Sequence, residues 1–226
     1  QSGESRMKIL AIEFSSEQRS VALVEISAGA DCRVPSSASD STRQTAALSL
    51  VEKVLRESKI ERELIEVIAV GLGPGSYNGI RAAIALAQGW QLATGNVKCV
   101  GVSSAECLAR VAQREKYFGR VRAMIDAQRN EVYSAIYEIS ATEIHELQSL
   151  CISSTGEIQA GVQAGETIVG PEVKRWFREG IELFPEATML GEIAASRSNF
   201  VPGEKLEPIY LRESSFVKAP PPRVVV

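Results

Sequence analysis

The chain of 226 residues has few of the side chains that build metal centres and nucleophilic catalytic sites. It contains one histidine, His145, in a polar stretch beside Glu143 and Glu146. A histidine-pair metal site needs a second imidazole, and a Ser-His-Asp or Cys-His arrangement would depend on this residue alone. The sequence therefore predicts a surface histidine and argues against catalysis by a histidine or a histidine-bound metal.

Cysteines and long apolar segments are also scarce. The four cysteines are scattered and form no C-x-x-C pair, so neither a disulfide scaffold nor a zinc site is indicated. We expect reduced thiols, as in a cytoplasmic protein. The apolar runs stay below the roughly 18 residues that cross a bilayer, and residues 1–6 lack the apolar core of a secretory signal. We therefore expect no membrane contact, and we interpret residues 1–6 as an addition that precedes Met7, the natural first residue.

The charge balance is slightly acidic, with 25 Lys and Arg against 28 Asp and Glu and a net charge of −3. A protein that grips RNA by itself usually presents a basic face, because neutralising phosphates supplies much of the affinity. The one basic concentration lies between Arg110 and Arg129 and is typical of a solvated helix and loop. Autonomous RNA binding is therefore not expected.

The first half of the chain alternates strand and helix signals. Residues 8–14 and 20–26 are β-branched, apolar runs around a polar stretch, which predicts a hairpin of two strands. The elements predicted after it are an extended segment near residues 32–35, a helix over 43–59, a strand over 67–70, a glycine-rich loop over 71–79, a helix over 80–94, a strand over 98–102 and a helix from 103 or 104 to about 114. The helix over 43–59 is predicted to bury an apolar face made by Leu48, Val51, Val54 and Leu55.

The second half begins like the first. Residues 121–126 and 131–139 form another pair of apolar runs around a polar turn, and both opening strands end in an acid, Glu13 and Asp126. A βββαβα half that occurs twice is the plan of the actin, Hsp70 and sugar-kinase superfold. The remaining signals are a strand over residues 167–170 and short helices within 171–180 and 189–196. We predict a duplicated α/β fold with two lobes.

The loop over residues 71–79 is the clearest candidate for chemistry. Its glycines could bring backbone N–H groups to an anion at a helix start. No Gly-Lys-Ser/Thr follows, and Ser76 stands where the third glycine of a dinucleotide fingerprint belongs. We favour a structural role, in which the glycines permit tight turns, over phosphate binding. Under the alternative, the cofactor-binding residues at a cleft would be Gly73, Gly75, Ser76, Glu13 and Asp126.

The same block carries a resemblance to a known family. Residues 71–95 (GLGPGSYNGIRAAIALAQGWQLATG) and 100–109 (VGVSSAECLA) resemble the TsaB (YeaZ) family, which has a G-x-G-P-G-S-[FY]-T-G-[IV]-R loop, a helix with A-Q-G, and then V-G-V-S-S. Further blocks are similar to other motifs of the family: ILAIEFS near the start, IDAQRNEVYSAIY at 125–137 and PIYLR at 208–212. The departures from the family pattern are Glu13 for Asp, Phe14 for Thr, Asn78 for Thr, and residues 43–45 for His-Ser-Glu.

The resemblance implies an actin-like fold without a complete active site. It implies lobes over residues 7–114 and 119–212 and a tail over 213–226. Members of the family are non-catalytic subunits that work with the ATPase TsaE and bind TsaD, which transfers threonylcarbamoyl to N6 of adenosine 37 in tRNA. The resemblance thus implies no catalytic residue, no metal and no cofactor within this chain. It leaves open ATP or ADP at the partner interface, and it places contact with tRNA only through the partner.

The family pairs through its first two helices, and the same face forms homodimers when the partner is missing. The interface residues that this implies are Arg43, Ala47, Leu50, Ile84, Gln88 and Gln91. Two other functions stay open. One is a small actin-like ATPase or kinase, with the loop at residues 73–76 on phosphates and Glu13 or Asp126 on magnesium. The other is a metal-dependent, glycoprotease-like peptidase, which the single histidine disfavours.

Overall fold

The computed structural model describes residues 6–27, 31–41 and 47–211, which form two five-stranded sheets. The first sheet has the order β3-β2-β1-β4-β5, with β1 (Met7–Glu13), β2 (Arg19–Ile26), β3 (Cys32–Asp40), β4 (Val67–Gly71) and β5 (Lys98–Val102). The second has the order β10-β9-β6-β7-β8, with β6 (Gly119–Asp126), β7 (Glu131–Ile139), β8 (Ile144–Ser154), β9 (Thr167–Gly170) and β10 (Ile181–Glu182).

The two sheets are built alike around their central strands. β1 pairs antiparallel with β2 and parallel with β4, and β6 pairs antiparallel with β7 and parallel with β9. Each opening hairpin is thus followed by a strand that returns parallel to the first. This confirms the predicted duplicated α/β fold.

Within the described ranges, five α-helices cover the sheets in layers: α1 (Ala47–Ser58), α2 (Tyr77–Thr94), α3 (Ser104–Arg114), α4 (Thr155–Gln163) and α5 (Ala187–Ala195). Because successive strand residues point to opposite faces, Leu10 and Ile12 of β1 pack toward α1 and α2, whereas Ile9 and Ala11 pack toward α3 and α5. The other face of α3, with Leu108, packs on the second sheet. Helix α3 therefore lies between the two sheets.

Helix α1 differs from the prediction in the face that it buries. Leu50, Val51 and Val54 are in the core, whereas Leu48 is 56% exposed. An α-helix has 3.6 residues per turn. A face centred on Leu50, Val51 and Val54 therefore leaves the side chain of Leu48 pointing away from the core. Leu48 was therefore wrongly placed on the apolar face.

The C-terminal part of the chain crosses back to the first sheet. Helix α5 packs on β1 and β2, and the backbone of Val201 pairs with Cys99 at the edge of that sheet. Leu206 is buried in the core beneath α1 and α2. The prediction that all of residues 119–212 form the second lobe is therefore wrong for this segment.

Further differences lie in the second lobe. The segment 171–180 forms a single 3₁₀ turn, Val173–Arg175, instead of the predicted short helix. Strand β8 and helix α4 were missed. A signal for α4 stands in the sequence, because Ser154 and Glu157 make a capping box at its start. Across the part of the chain that the structure describes, each helix is too short or too polar to traverse a bilayer.

Candidate functional site

A polar cleft of about 420 Å³ lies where the two halves of the chain face each other. The turn after β1, the glycine-rich loop, the turn after β6 and the segment after β9 form its walls. Three of the five predicted cleft residues line it: Gly75, Ser76 and Asp126. The charged side chains at its surface are Glu17, Arg19, Asp126 and Glu172.

Glu13, which the alternative interpretation places at a cleft, does not line this one. Its side chain is fully buried, and its carboxylate accepts hydrogen bonds from the Ser15 N–H at 2.7 Å and the Ser104 hydroxyl at 3.0 Å. The carboxylate also occupies the space beside Gly71, where a Cβ would lie 2.0 Å from Glu13 Oε2. Since Ser104 begins α3, Glu13 ties the end of β1 to the helix between the sheets.

Burial has a consequence for the charge of Glu13. Removing the carboxyl group from water disfavours its ionised form, and this raises the pKa of Glu13 above its ordinary value of 4.5. The hydrogen bonds from Ser15 and Ser104 act in the opposite direction, but burial is the larger effect. The carboxyl group of Glu13 is therefore part of the core and is not available as a ligand in the cleft.

The glycine-rich loop lies directly on the turn that follows β1. A Cβ at Gly75 would be 2.1 Å from the carbonyl oxygen of Ser15, and Gly75 has φ of +146°. A Cβ at Gly79 would be 2.0 Å from the carbonyl oxygen of Phe14. The Ser76 N–H donates to the Ser15 carbonyl at 2.6 Å. These contacts favour the structural interpretation of the loop, since the glycines permit backbone to lie against backbone.

Two other residues of the loop have local roles. The Ser76 hydroxyl accepts a hydrogen bond from the Gly79 N–H at 3.3 Å and so caps the start of α2. Gly73 has φ of +87° and is not among the residues that line the cleft; a Cβ there would meet the side chain of Ile80 at 2.5 Å. Gly73 therefore packs against α2.

Asp126 is the predicted carboxylate that does reach the cleft. It accepts a hydrogen bond from the Gln128 N–H at 2.7 Å, and one of its oxygens lies 3.6 Å from the Arg175 guanidinium. Of the two acids considered for magnesium, Glu13 or Asp126, Asp126 lines the cleft and Glu13 is buried elsewhere. Within the described residues, no group of three or more His, Cys, Asp or Glu side chains is placed to hold a metal ion.

The predicted interface residues are mostly turned inward. Leu50 and Ile84 are buried in the core of the first lobe, so they cannot offer a surface to a partner. Gln88 donates to the Gly203 carbonyl at 3.1 Å. Gln91 accepts from the Gly203 N–H at 2.7 Å and donates to the Val97 carbonyl at 2.7 Å. Ala47 is half-buried at the start of α1, and Arg43 lies outside the described residues.

A different face of α2 is exposed and almost free of charge. The exposed residues recur along one side of the helix: Tyr77, Asn78, Arg81, Ala85, Gly89, Leu92 and Ala93. Leu92 is 87% exposed, and Arg81 is the one charged residue among the 18 of α2. Surface helices normally carry charged residues on the solvent side. In the sequence this feature is visible as a lack of charged residues over 82–97.

Sequence comparisons give relatives with one shared description. Residues 31–207 match the family model for TsaD, tRNA N6-adenosine threonylcarbamoyltransferase. The tRNA threonylcarbamoyladenosine biosynthesis protein TsaB of Escherichia coli K12 is 30% identical, over 92% of this chain and 96% of its own length. The TsaB protein of Bacillus subtilis is 32% identical over 41% of this chain and 39% of its own length.

Solved structures agree with these relatives. YeaZ from Pseudomonas aeruginosa superimposes with a TM-score of 0.76 at 27% identity, over 90% of this chain and 99% of its own. A second structure from that organism, described as an uncharacterised protein with similarity to peptidase YeaZ, gives a TM-score of 0.76 at 26% identity, over 91% and 100%. The likeness thus covers both lobes.

Proposed function

Because the chain belongs to the TsaB family of tRNA threonylcarbamoyladenosine biosynthesis proteins, we propose that it serves this modification as a non-catalytic subunit that binds TsaD. The family model that it matches describes the transferase itself, which is the enzyme that a TsaB subunit would assist. In this account TsaD performs the transfer, and the present chain supplies a docking surface. Its tRNA contact is made through TsaD, in the cytoplasm, in keeping with a net charge of −3.

The observation that carries the proposal is the exposed face of α2. The centre of a protein interface is poor in charged residues, and small side chains let two helices approach closely. Ala85 and Gly89 are small and exposed, and nothing lies within 4 Å of a Cβ built at Gly89. Leu92, at 87% exposure, would lose most of its contact with water on docking. This face therefore suits a partner helix.

The buried state of Glu13 supports the non-catalytic part of the proposal. A strand-end acid that bonds to Ser15 and Ser104 inside the core is withdrawn from any reacting group in the cleft. Any ATP or ADP in the complex then belongs to the partner interface, and TsaE joins through TsaD. In the absence of TsaD, the same α2 face would pair two copies of the chain.

A binding experiment with Leu92→Asp tests the docking surface. Purified chain is titrated with TsaD of the same organism by calorimetry, and the complex is sized by gel filtration with light scattering. We expect a stable complex for the wild type. We expect affinity to fall at least about tenfold for Leu92→Asp, because a carboxylate would be placed in an apolar interface.

The matched control is Leu147→Asp, which introduces the same charge at a half-exposed leucine of β8 in the second lobe. This variant should bind TsaD like the wild type. Equal affinity of Leu92→Asp and wild type would place the docking surface elsewhere. The absence of any complex with the wild type would reject the proposed role.

A further inference from the structure

The segment over residues 200–211, called the strap here, runs from the edge of β5 to the start of α2. Its backbone pairs with β5 through Val201 and Cys99, with N···O distances of 2.8 and 3.3 Å. Gly203 is then held by the side chains of α2, and Leu206 is buried in the core. Finally, the Ile209 N–H donates to the Leu72 carbonyl at 2.9 Å. The strap is therefore fixed along one flank of α2.

At its end, the strap adds an aromatic ring to the exposed face of α2. Tyr210 stacks on Tyr77, with ring centroids 5.8 Å apart and planes inclined by 26°. The Arg81 guanidinium lies 5.1 Å from the centre of the Tyr77 ring and donates to the Tyr77 hydroxyl at 2.9 Å. We call Tyr77, Arg81 and Tyr210 the tyrosine cluster.

The tyrosine cluster remains open to solvent in spite of these internal contacts. Tyr77 is 55% exposed and Tyr210 is 49% exposed. Tyrosine and arginine are enriched among the residues that dominate the binding energy of protein interfaces. A pair of stacked rings is already ordered, so little side-chain freedom would be lost when a partner covers it. The cluster has the composition and rigidity of an interface anchor.

We propose that the tyrosine cluster anchors the docking of TsaD, so that the C-terminal strap forms part of the interface together with α2. This inference rests on the proposed function. TsaD is the occupant because the cluster is continuous with the nearly uncharged face of α2: Tyr77, Arg81, Ala85 and Gly89 follow one another at four-residue spacing. One partner helix that covers Leu92 would reach the cluster about three turns away.

The chemistry of the cluster defines what the partner must offer. The outward ring faces suit a flat apolar or aromatic side chain, and the Arg81 guanidinium suits a carboxylate or a carbonyl oxygen. Helix α2 contains no acidic residue of its own to satisfy Arg81. The facing surface of TsaD is therefore apolar with a hydrogen-bond acceptor at the position of Arg81.

The test is calorimetric titration of TsaD with wild type, Tyr210→Ala and Tyr210→Phe. We expect Tyr210→Ala to weaken binding at least about tenfold, as for an anchor residue, and Tyr210→Phe to bind almost like the wild type because it keeps the ring. Phe118→Ala is the matched control, since Phe118 is an aromatic residue of similar exposure, 47%, that directly precedes β6 of the second sheet. It should leave the affinity unchanged.

A second measurement separates anchoring from disturbance of the strap. Hydrogen exchange at the Ile209 N–H, which bonds to Leu72, reports whether the strap stays in place. Weaker binding of Tyr210→Ala with unchanged Ile209 protection supports the proposal. Wild-type affinity of Tyr210→Ala overturns it, and so does weaker binding that occurs only with loss of that protection. Tight wild-type binding that is sensitive to Leu92→Asp but not to Tyr210→Ala would leave the proposed function standing and reject this inference alone.

Discussion

Glu13 is a residue whose surroundings in the structure differ from those that its position in the sequence suggests. Its place at the end of β1 suggested a side chain at a cleft, and the structure buries it against Gly71. Its carboxylate accepts one hydrogen bond from the Ser15 N–H and one from the hydroxyl of Ser104, which is 91 residues away in the chain. A strand-end acid can be recognised from local pattern, but its direction depends on such distant partners. Asp126, whose partner Gln128 is only two residues away in the chain, lines the cleft.

Glu13→Gln should change how stability depends on pH. Because burial raises the folded-state pKa of Glu13, the folded protein holds this proton more tightly than the unfolded chain. The stabilisation is fully present below the unfolded pKa and is lost as pH rises through the folded pKa. We therefore expect the free energy of unfolding of the wild type to fall, relative to that of Glu13→Gln, as pH rises from about 4.5. Urea unfolding of both proteins at several pH values between 5 and 8, on the order of one unit apart, measures this.

Ser104→Ala is the companion variant for that experiment. It removes a hydroxyl donor that favours the ionised carboxylate, and hydrogen bonds to charged groups are stronger than those to neutral ones. Its loss of stability should therefore grow as pH rises. A difference between wild type and Glu13→Gln that stays constant over the whole range would show that Glu13 does not titrate in the folded protein as described.

At the scale of elements, the start of α2 is fixed by backbone packing on the turn after β1. Gly79 in the first turn of the helix touches the carbonyl of Phe14, whereas Gly89 in the same helix has no atom near the place of a Cβ. The two glycines thus occupy the same kind of backbone in opposite surroundings. At Gly79 the absence of a side chain lets the helix lie against the Phe14 carbonyl, whereas at Gly89 glycine has only its general, destabilising effect on a helix.

We expect opposite results from Gly79→Ala and Gly89→Ala. The Cβ of Gly79→Ala would press on a backbone carbonyl that cannot rotate away, so the free energy of unfolding should fall by about 1–3 kcal/mol. Gly89→Ala should raise it by up to about 1 kcal/mol, because alanine is the better helix former at an open position. Urea unfolding at neutral pH measures both changes. A similar effect of the two substitutions would contradict the packing described for the loop.

Elements with local signals were predictable from the sequence. The strand β5 and the helix α3 have the predicted bounds, and Ser103 caps α3 while Gly95, in a left-handed conformation, ends α2. Strand β8 was missed because it is an edge strand that is largely exposed, so it shows no continuous apolar run. The exposed side of α2 was also missed, since a run of small residues does not reveal which side faces solvent.

At the scale of the whole molecule, the duplicated plan was predictable and the path of the C-terminal segment was not. Two hairpins with similar apolar runs indicate two similar sheets. The apolar pattern of α5 indicates that one face of the helix is buried, but it does not indicate which of the two sheets this face packs against. The structure places α5 and Leu206 in the first lobe, where the strap then meets α2. The proposed docking surface is consequently made by segments more than 100 residues apart in the chain, which meet where Tyr77 and Tyr210 stack.

The central claim is that the chain offers a docking face and leaves the reaction to TsaD. The most direct test measures formation of threonylcarbamoyladenosine in tRNA from the threonylcarbamoyl adenylate, with the chain alone, with TsaD alone and with both, and with Leu92→Asp replacing the wild type. We predict no product from the chain alone, a faster reaction when it joins TsaD, and loss of that gain with Leu92→Asp. Sustained product formation by the isolated chain, or a TsaD rate that its addition does not change, would contradict the claim.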